Sequence, residues 1–459
     1  MIHLDAIVAP ARAATREGSR RGEVERAFGL TAAGPRVLVP AVAVPDRGLV
    51  LFVGPSGAGK STLLRAVAAR TGCRTLPELP DDDRSAVELI AGDVAHAIGL
   101  LSRFGLAEAA ALVAPARRLS EGQQFRLRLA MLLADRPQAI AVDELLSVLD
   151  RGTAQAIAFA LQKHCRRHGV TAFLATAHDD LVEALAPDWV VRIGPGGSTT
   201  VGPGPATARV PALDRLVVED GSLDDYHALA HHHYAHDDAD DLACRVTQVR
   251  TARLDGTALA VAVYVRPYRL DVGVPLLAEL ARRVWMTART VVHPSVRGAG
   301  LSRRLEPSPP PDVRAVFQLS ALARFFPFQL ANGYRAVDTT WSERRGDHDR
   351  LIAMLARAGV DDPHPLHDPA HATAVLAGVT SPQRAAIRRL AVQICAADDA
   401  ALARTLAAAA GLADHAGAGE AALVALYTAA YRAVAGDDLG RVVADALPLP
   451  MAGLVRELP

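Results

Sequence analysis

Gly54-Pro55-Ser56-Gly57-Ala58-Gly59-Lys60-Ser61 is a glycine-rich run ending in a lysine and a hydroxyl, a combination suited to holding phosphate. Glycines let backbone N–H groups converge on phosphate oxygens, the lysine reaches them as a compact charge, and the Ser61 hydroxyl is a ligand for Mg²⁺. Lysine is used here against the habit of the chain. Of fifty basic residues only Lys60 and Lys163 are lysine, so Lys60 marks a place where a planar guanidinium does not serve. Further on, Asp143-Glu144 closes the apolar run 139–142. Asp143 is placed to hold the Mg²⁺ shell and Glu144 to polarise an attacking water. Between them, Leu119-Ser120-Glu121-Gly122-Gln123 opens a helix; Ser120 suits an N-cap and Gly122 lets backbone come close to a ligand, which makes a second anion site.

These groups need a strand, a turn and a helix in that order. Residues 48–53 read as a buried strand, Thr62 opens a helical pattern, and 139–142 reads as a second buried strand that carries both carboxylates to its end. Adding Ser147-Val148-Leu149-Asp150 and His178 in Thr176-Ala177-His178-Asp179, the order of motifs resembles the ABC-type ATPases: Walker A, signature, Walker B, D-loop and switch histidine. The resemblance implies hydrolysis of ATP with Mg²⁺, Glu144 and His178 being catalytic. Nucleotide contacts are implied for residues 54–61, Thr62, Ser120, Gly122 and Gln123, with Phe28 against adenine. It also implies a head-to-tail homodimer in which Ser120 and Gly122 of one protomer close on the ATP held by the other's Walker A. The family's Q-loop glutamine has no counterpart between Ser61 and Gly122, and the interval is short for the helical subdomain that grips a membrane partner. Both departures argue against transport and for another receiver of the ATP signal.

The run 194–205 is rich in Gly, Pro, Ser and Thr and reads as a linker. Three units are expected: an α/β P-loop cassette over 1–200, an α+β unit over 211–345, and an Ala-rich helical extension over 346–459. In the second, Thr290-Val291-Val292-His293-Pro294-Ser295-Val296-Arg297-Gly298-Ala299-Gly300-Leu301 reads as a strand entering a glycine turn and a helix, whose backbone amides suit a pyrophosphate. It resembles the coenzyme A loop of GNAT acetyltransferases, and 325–334 resembles the later GNAT helix that ends in a Gly-aromatic pair. The whole order over about 20–340 looks like ABC-type ATPases fused to a predicted acetyltransferase domain. This implies acetyl-CoA held by Val292, Arg297, Gly298, Ala299 and Gly300, with His233 and Tyr234 near the acyl-transfer cleft. Ser295 stands where the loop usually begins with Gln or Arg, and Gln329 where an aromatic often acts as general acid. The unit therefore either transfers acyl groups or keeps only the GNAT shape.

Composition bounds the rest. A chain of 459 residues exceeds the ~300 at which single cores stop growing, so two or three domains are expected. Fifty basic residues balance fifty acidic ones, which excludes a bulk polycation, yet residues 245–345 hold sixteen arginines against seven acids, a local balance suited to DNA or RNA. The four cysteines stand apart with no CxxC pair, and no apolar stretch reaches the ~20 residues of a membrane span, so a cytoplasmic location is expected. His231-His232-His233-Tyr234-Ala235-His236 offers ligands for Zn²⁺ or Fe²⁺, but the tract is local, whereas metal sites gather ligands from separate elements. The leading expectation is an ABC-type ATPase whose dimerisation gates a GNAT-like unit that acts on or binds nucleic acid. Two alternatives stand beside it: a nucleic-acid maintenance or defence ATPase with a non-catalytic GNAT-like unit, and a transporter ATPase with a fused regulatory domain.

Overall fold

The computed structural model describes residues 1–9, 19–28, 36–194, 198–233, 242–267, 274–337, 345–412, 420–447 and 452–458. Two short antiparallel pairs, β1 (Ile2–Leu4) with β4 (Val42–Val44) and β2 (Ile7–Ala9) with β3 (Arg36–Val39), accompany helix α1 (Arg20–Ala27). The first large sheet has the order β10-β9-β5-β8-β7-β6. Its strands are β5 (Leu49–Val53), β6 (Arg74–Thr75), β7 (Ala139–Val142), β8 (Thr171–Thr176), β9 (Trp189–Ile193) and β10 (Thr199–Pro203). All pairings are parallel except β9 with β10. A parallel sheet is covered on both faces, and β5 is buried at all five positions. On one face Phe52 and Phe173 pack with Leu63 and Val67 of α2 (Lys60–Thr71). On the other, Leu51 and Leu174 pack with α3 (Val94–Arg103), α5 (Glu121–Ala134) and α6 (Arg151–His168), while α4 (Ala109–Val113) and α7 (Leu181–Leu185) complete the layer.

The expected linker is in part a strand. Thr199–Pro203 returns along β9 as β10, extending the first sheet past residue 200. Its Gly and Pro are tolerated because β10 is an edge strand, where a missing N–H leaves no ladder bond unmade.

The second large sheet has the order β11-β12-β13-β14-β15-β17-β16. Its strands are β11 (Val217–Asp220), β12 (Val246–Leu254), β13 (Thr257–Val265), β14 (Val284–Val292), β15 (Ala315–Ser320), β16 (Arg335–Val337) and β17 (Ala452–Glu457). Helix α8 (Leu223–Leu229) packs on β13 through Tyr226 and Leu229. Only β14 and β15 run parallel, and they pair solely through Val284–Met286 and Ala315–Phe317. β14 continues to Val292 without β15, so a cleft opens between their carboxyl halves.

The region after 345 is helical but not an appendage. Helices Arg345–Arg357, Pro369–Ala377, Ser381–Ala409, Glu420–Asp437 and Leu439–Ala446 are joined by a core that includes Leu355, Leu390 and Val442. Leu406 packs with Leu280 of helix Pro275–Arg283. The chain then returns as β17 between β15 and β16, correcting the expected helical extension over 346–459. The return buries Leu454 and Val455 and pairs strand edges that would otherwise lie open.

Candidate functional site

Because β5, β8 and β7 are parallel neighbours, their carboxyl ends deliver residues 54–61, 177–178 and 143–144 to one edge. The 54–61 turn leads into α2, capped by Gly59 at φ 101°. Lys60 Nζ folds over this turn and donates to the carbonyl oxygens of Gly54 (2.8 Å) and Pro55 (2.9 Å). Burial lowers the Lys60 pKa, while the charges of Asp143 and Glu144 oppose that shift. The lysine and both carboxylates therefore share one electrostatic field. Glu144 sits in the left-handed region (φ 48°), with its N–H donating to Asp143 Oδ1 at 3.0 Å, and both acids are exposed. Strained backbone of this kind persists where surrounding structure over-determines it, and here Leu145 N–H donates to Ala175 of β8 (2.8 Å). On β8, Thr176 Oγ1 donates to the Leu145 carbonyl (3.4 Å) and accepts from His178 N–H (3.2 Å), which ties the backbone of His178 to the turn that follows the acidic pair.

Ser120 is the N-cap of α5 in a reciprocal capping box: its Oγ accepts from Gln123 N–H (3.3 Å) and its own N–H donates to Gln123 Oε1 (3.0 Å). Gly122 packs so tightly on the 147–150 turn that an added Cβ would lie 2.6 Å from Leu149 Cδ2. Asp150 in turn caps α6 by accepting from Thr153 N–H (2.9 Å) and Thr153 Oγ1 (2.6 Å). Residues 119–123 and 147–150 thus form one surface at the head of two helices. Among the described residues no hydrogen bond or ion pair joins Ser120 or Gly122 to 54–61. Phe28 follows α1 and is 76% exposed.

The second sheet treats its expected site residues differently. Arg297 is mostly a strut: Nε donates to Val292 O (2.9 Å), Nη2 to His232 O (3.4 Å), and Glu108 of the first half lies 3.6 Å away. An added Cβ at Gly298 would stand 3.0 Å from the Arg103 carbonyl oxygen and 3.3 Å from Ala160, so the 298–300 turn leans on α3 and α6. Arg297, Gly298 and Gly300, expected to hold coenzyme A, also line the cavity at this junction. His232 Nδ1 lies 3.2 Å from Glu108, and His293 Nδ1 is 2.6 Å from Ser295 Oγ. Tyr234 lies outside the described residues; among them no cluster of His, Cys, Asp or Glu is arranged to hold a metal. Gln329 is 2% exposed, and its amide atoms have no hydrogen-bond partner among the described residues.

The basic surplus also shrinks in three dimensions. Arg250 pairs with Asp220, Arg253 with Glu219 and Asp225, and Arg335 with Glu457, all acids outside 245–345. A count along a window is not a surface charge. The residues that sequence reasoning missed are those joining the halves: Glu108, which faces Arg297, and Gly99, beside Phe325 and Phe326. No residue pattern signals them, because each acts only through a distant segment.

A doubly covered parallel sheet with a lysine-bearing glycine loop and two acids on one edge defines a P-loop protein. The lipoprotein-releasing system ATP-binding protein LolD of Novosphingobium aromaticivorans is 31% identical over 189 residues, which is 32% of this chain and 83% of that protein. LolD 1 of Rhodospirillum rubrum is 30% identical over 196 residues, or 34% of this chain and 85% of that protein. The chain belongs to the ATP-binding-cassette (ABC) ATPase family. A dimeric bacterial ABC transporter cassette overlays 38% of this chain and 93% of its own with 18% identity and a TM-score of 0.32. No protein-family model matches the chain. Among the described residues no helix is long and apolar enough to cross a membrane.

Proposed function

We propose that the chain binds and hydrolyses ATP as a head-to-tail pair and uses the closing motion to act on its own second sheet. The observation that carries this is the packing of α3 and Glu108, which lie between the phosphate loop and the signature, against Phe325, Phe326 and Arg297 of the second sheet. That interval is where the family engages the element it drives. Here it is met by the same chain.

Residues 54–62 hold the phosphates, with Lys60 exchanging its two backbone carbonyls for phosphate oxygens, and Ser120, Gly122 and Gln123 close from the other protomer. The Ser61 hydroxyl and the Asp143 carboxylate are the donors suited to Mg²⁺, which when bound neutralises charge on the phosphate oxygens. Glu144 orients the attacking water by accepting its hydrogen bond, and His178 on the next strand approaches the same edge. The second sheet is read as a GNAT-like unit that takes acetyl-CoA in the cleft between β14 and β15, with His233 facing it. A DNA or RNA acceptor is the weaker part of this reading, since much of the arginine surplus is paired internally.

A transporter ATPase with a fused regulatory unit is the second reading, favoured by the names of the relatives, LolD and the aliphatic sulfonates import protein SsuB among them. Against it stand the missing Q-loop glutamine and the covered face of α3. The test places cysteines at Ser56 and Ser120 in a Glu144→Gln background and measures cross-linking between protomers. Cross-links that form only with ATP are expected. Cross-links absent with and without ATP contradict the paired cassette, and co-purification with a membrane permease favours the transporter.

A further inference from the structure

Where the two halves meet, a cavity of about 960 Å³ opens. One wall is the cassette: α3, the end of α5 and the second half of α6. The other is β14, the 296–303 turn and the 322–332 segment of the second sheet. Six cationic side chains line it, Arg103, Arg136, Lys163, Arg167, Arg297 and Arg303, against the single acid Asp93. Of the six, only Arg297 has a carboxylate partner among the described residues. Lys163 is the one lysine of the chain besides Lys60, and its Nζ stands 4.9 Å from the centre of the Phe159 ring. Phe325, Phe326, Phe328 and Leu330 give the opposite end an apolar surface.

Buried polar atoms around this cavity lack partners. Arg103 Nη1 lies 2.9 Å from His164 Nδ1. Because a guanidinium only donates, Nδ1 must accept, which leaves the ring proton on Nε2. That Nε2–H has no hydrogen-bond partner among the described residues, although His164 is only 4% exposed. Ser102 Oγ and Arg297 Nη1 are in the same position, and both residues line the same cavity. These donors are themselves sealed from solvent, so what a ligand entering the cavity meets is the set of cations on its walls that lack a carboxylate partner, and those cations call for an anion.

The two helices that reach this wall begin at the other site. α5 starts at the Ser120 cap and ends beside Leu133 and Arg136; α6 starts at the Asp150 cap and carries Lys163, His164 and Arg167. A helix moves as a rigid rod, so displacement at one end is felt at the other. We propose that the cassette wall completes the cleft assigned above to acetyl-CoA, with Arg103, Lys163 and Arg167 taking the phosphate end of a phosphate-bearing anion whose apolar arm lies on the phenylalanines, and that α5 and α6 couple its occupancy to ATP binding. The coupling rests on the cassette reading above; the anion site does not.

Coupling between two sites is reciprocal. The test uses the full chain carrying Glu144→Gln, with ATP and Mg²⁺ saturating so that the phosphate loop is filled, and titrates coenzyme A and inorganic pyrophosphate calorimetrically. Both probes are expected to bind, and Lys163→Glu/Arg167→Glu to weaken them by about tenfold or more, since two attractive charges become repulsive. Both side chains are exposed, so folding is expected to survive, and Arg303→Glu on the facing wall is a second variant with the same expected direction. Saturating coenzyme A is expected to shift the ATP dissociation constant at least ~3-fold, an effect lost in the double variant. Binding of pyrophosphate but not coenzyme A, sensitive to Lys163 and Arg167, upholds the anion site and removes acyl-CoA from the proposed function. Binding that ignores all three substitutions overturns the site while leaving an acyl-CoA function standing, and no binding of either probe overturns it outright.

Discussion

At the edge of the first sheet Asp143 and Glu144 stand exposed with Lys60 beside them, whereas at the turn after β14 Arg297 is largely buried and tied to Val292, His232 and Glu108. Both places were marked by glycines and a cation in sequence. In the first, the cation's hydrogen bonds among the described residues go to two backbone carbonyls that a phosphate can replace, while in the second it ties the two halves together. The contrast separates a residue kept available for a ligand from one that transmits between units, and the motif alone does not distinguish them.

The largest expected effect lies in the first region. Glu144→Gln should lower ATP turnover on the order of 10²-fold or more while leaving ATP binding intact, because it removes the group that orients water and keeps the phosphate cradle. Turnover at the parental rate in a coupled phosphate-release assay would sink the assignment. Lys60→Ala should instead weaken ATP binding itself, by roughly tenfold, readable by nucleotide titration. The second region should respond in stability. Arg297→Ala should destabilise the chain by about 2 kcal/mol, since it strips Glu108 of a partner and the Val292 carbonyl of a charged donor, with Glu144-dependent chemistry largely spared. If urea unfolding is unchanged by Arg297→Ala, the strut interpretation fails.

A pH dependence is expected at the junction. Burial, followed by the charge of Arg103, holds His164 at about 3 against an ordinary 6.5. Between those values the unfolded chain takes up a proton that the folded chain refuses, so stability is present above pH 6.5 and falls on acidification toward pH 3. His164→Gln should flatten the slope of stability against pH in that window; an unchanged slope would show that other groups set it.

How much of this was legible in sequence follows the same divide. The first sheet's motifs are local: the 54–61 loop, the Ser120 cap and Asp143-Glu144 each act within a few residues, and parallel strand order brings them to one edge. Glu108 and Gly99 act across long separations, so nothing near them in sequence announces their role. Thr199–Pro203 was hidden by its Gly and Pro content, which edge strands tolerate, and Ala452–Glu457 by its brevity and its distance from the sheet it enters. How much of the arginine surplus of 245–345 stays unpaired is likewise not legible in sequence, since Asp220, Glu219 and Glu457 approach it only in the fold.

The central claim is that ATP closure is felt by the second sheet. Hydrogen–deuterium exchange of the Glu144→Gln chain, with and without ATP and Mg²⁺, tests it most directly. Slower exchange is expected on adding ATP at 119–123 and 147–150, where the pair closes, together with altered exchange at 294–303, where the second sheet leans on α3 and α6. ATP-dependent protection confined to the first two segments, with 294–303 unchanged, would contradict it.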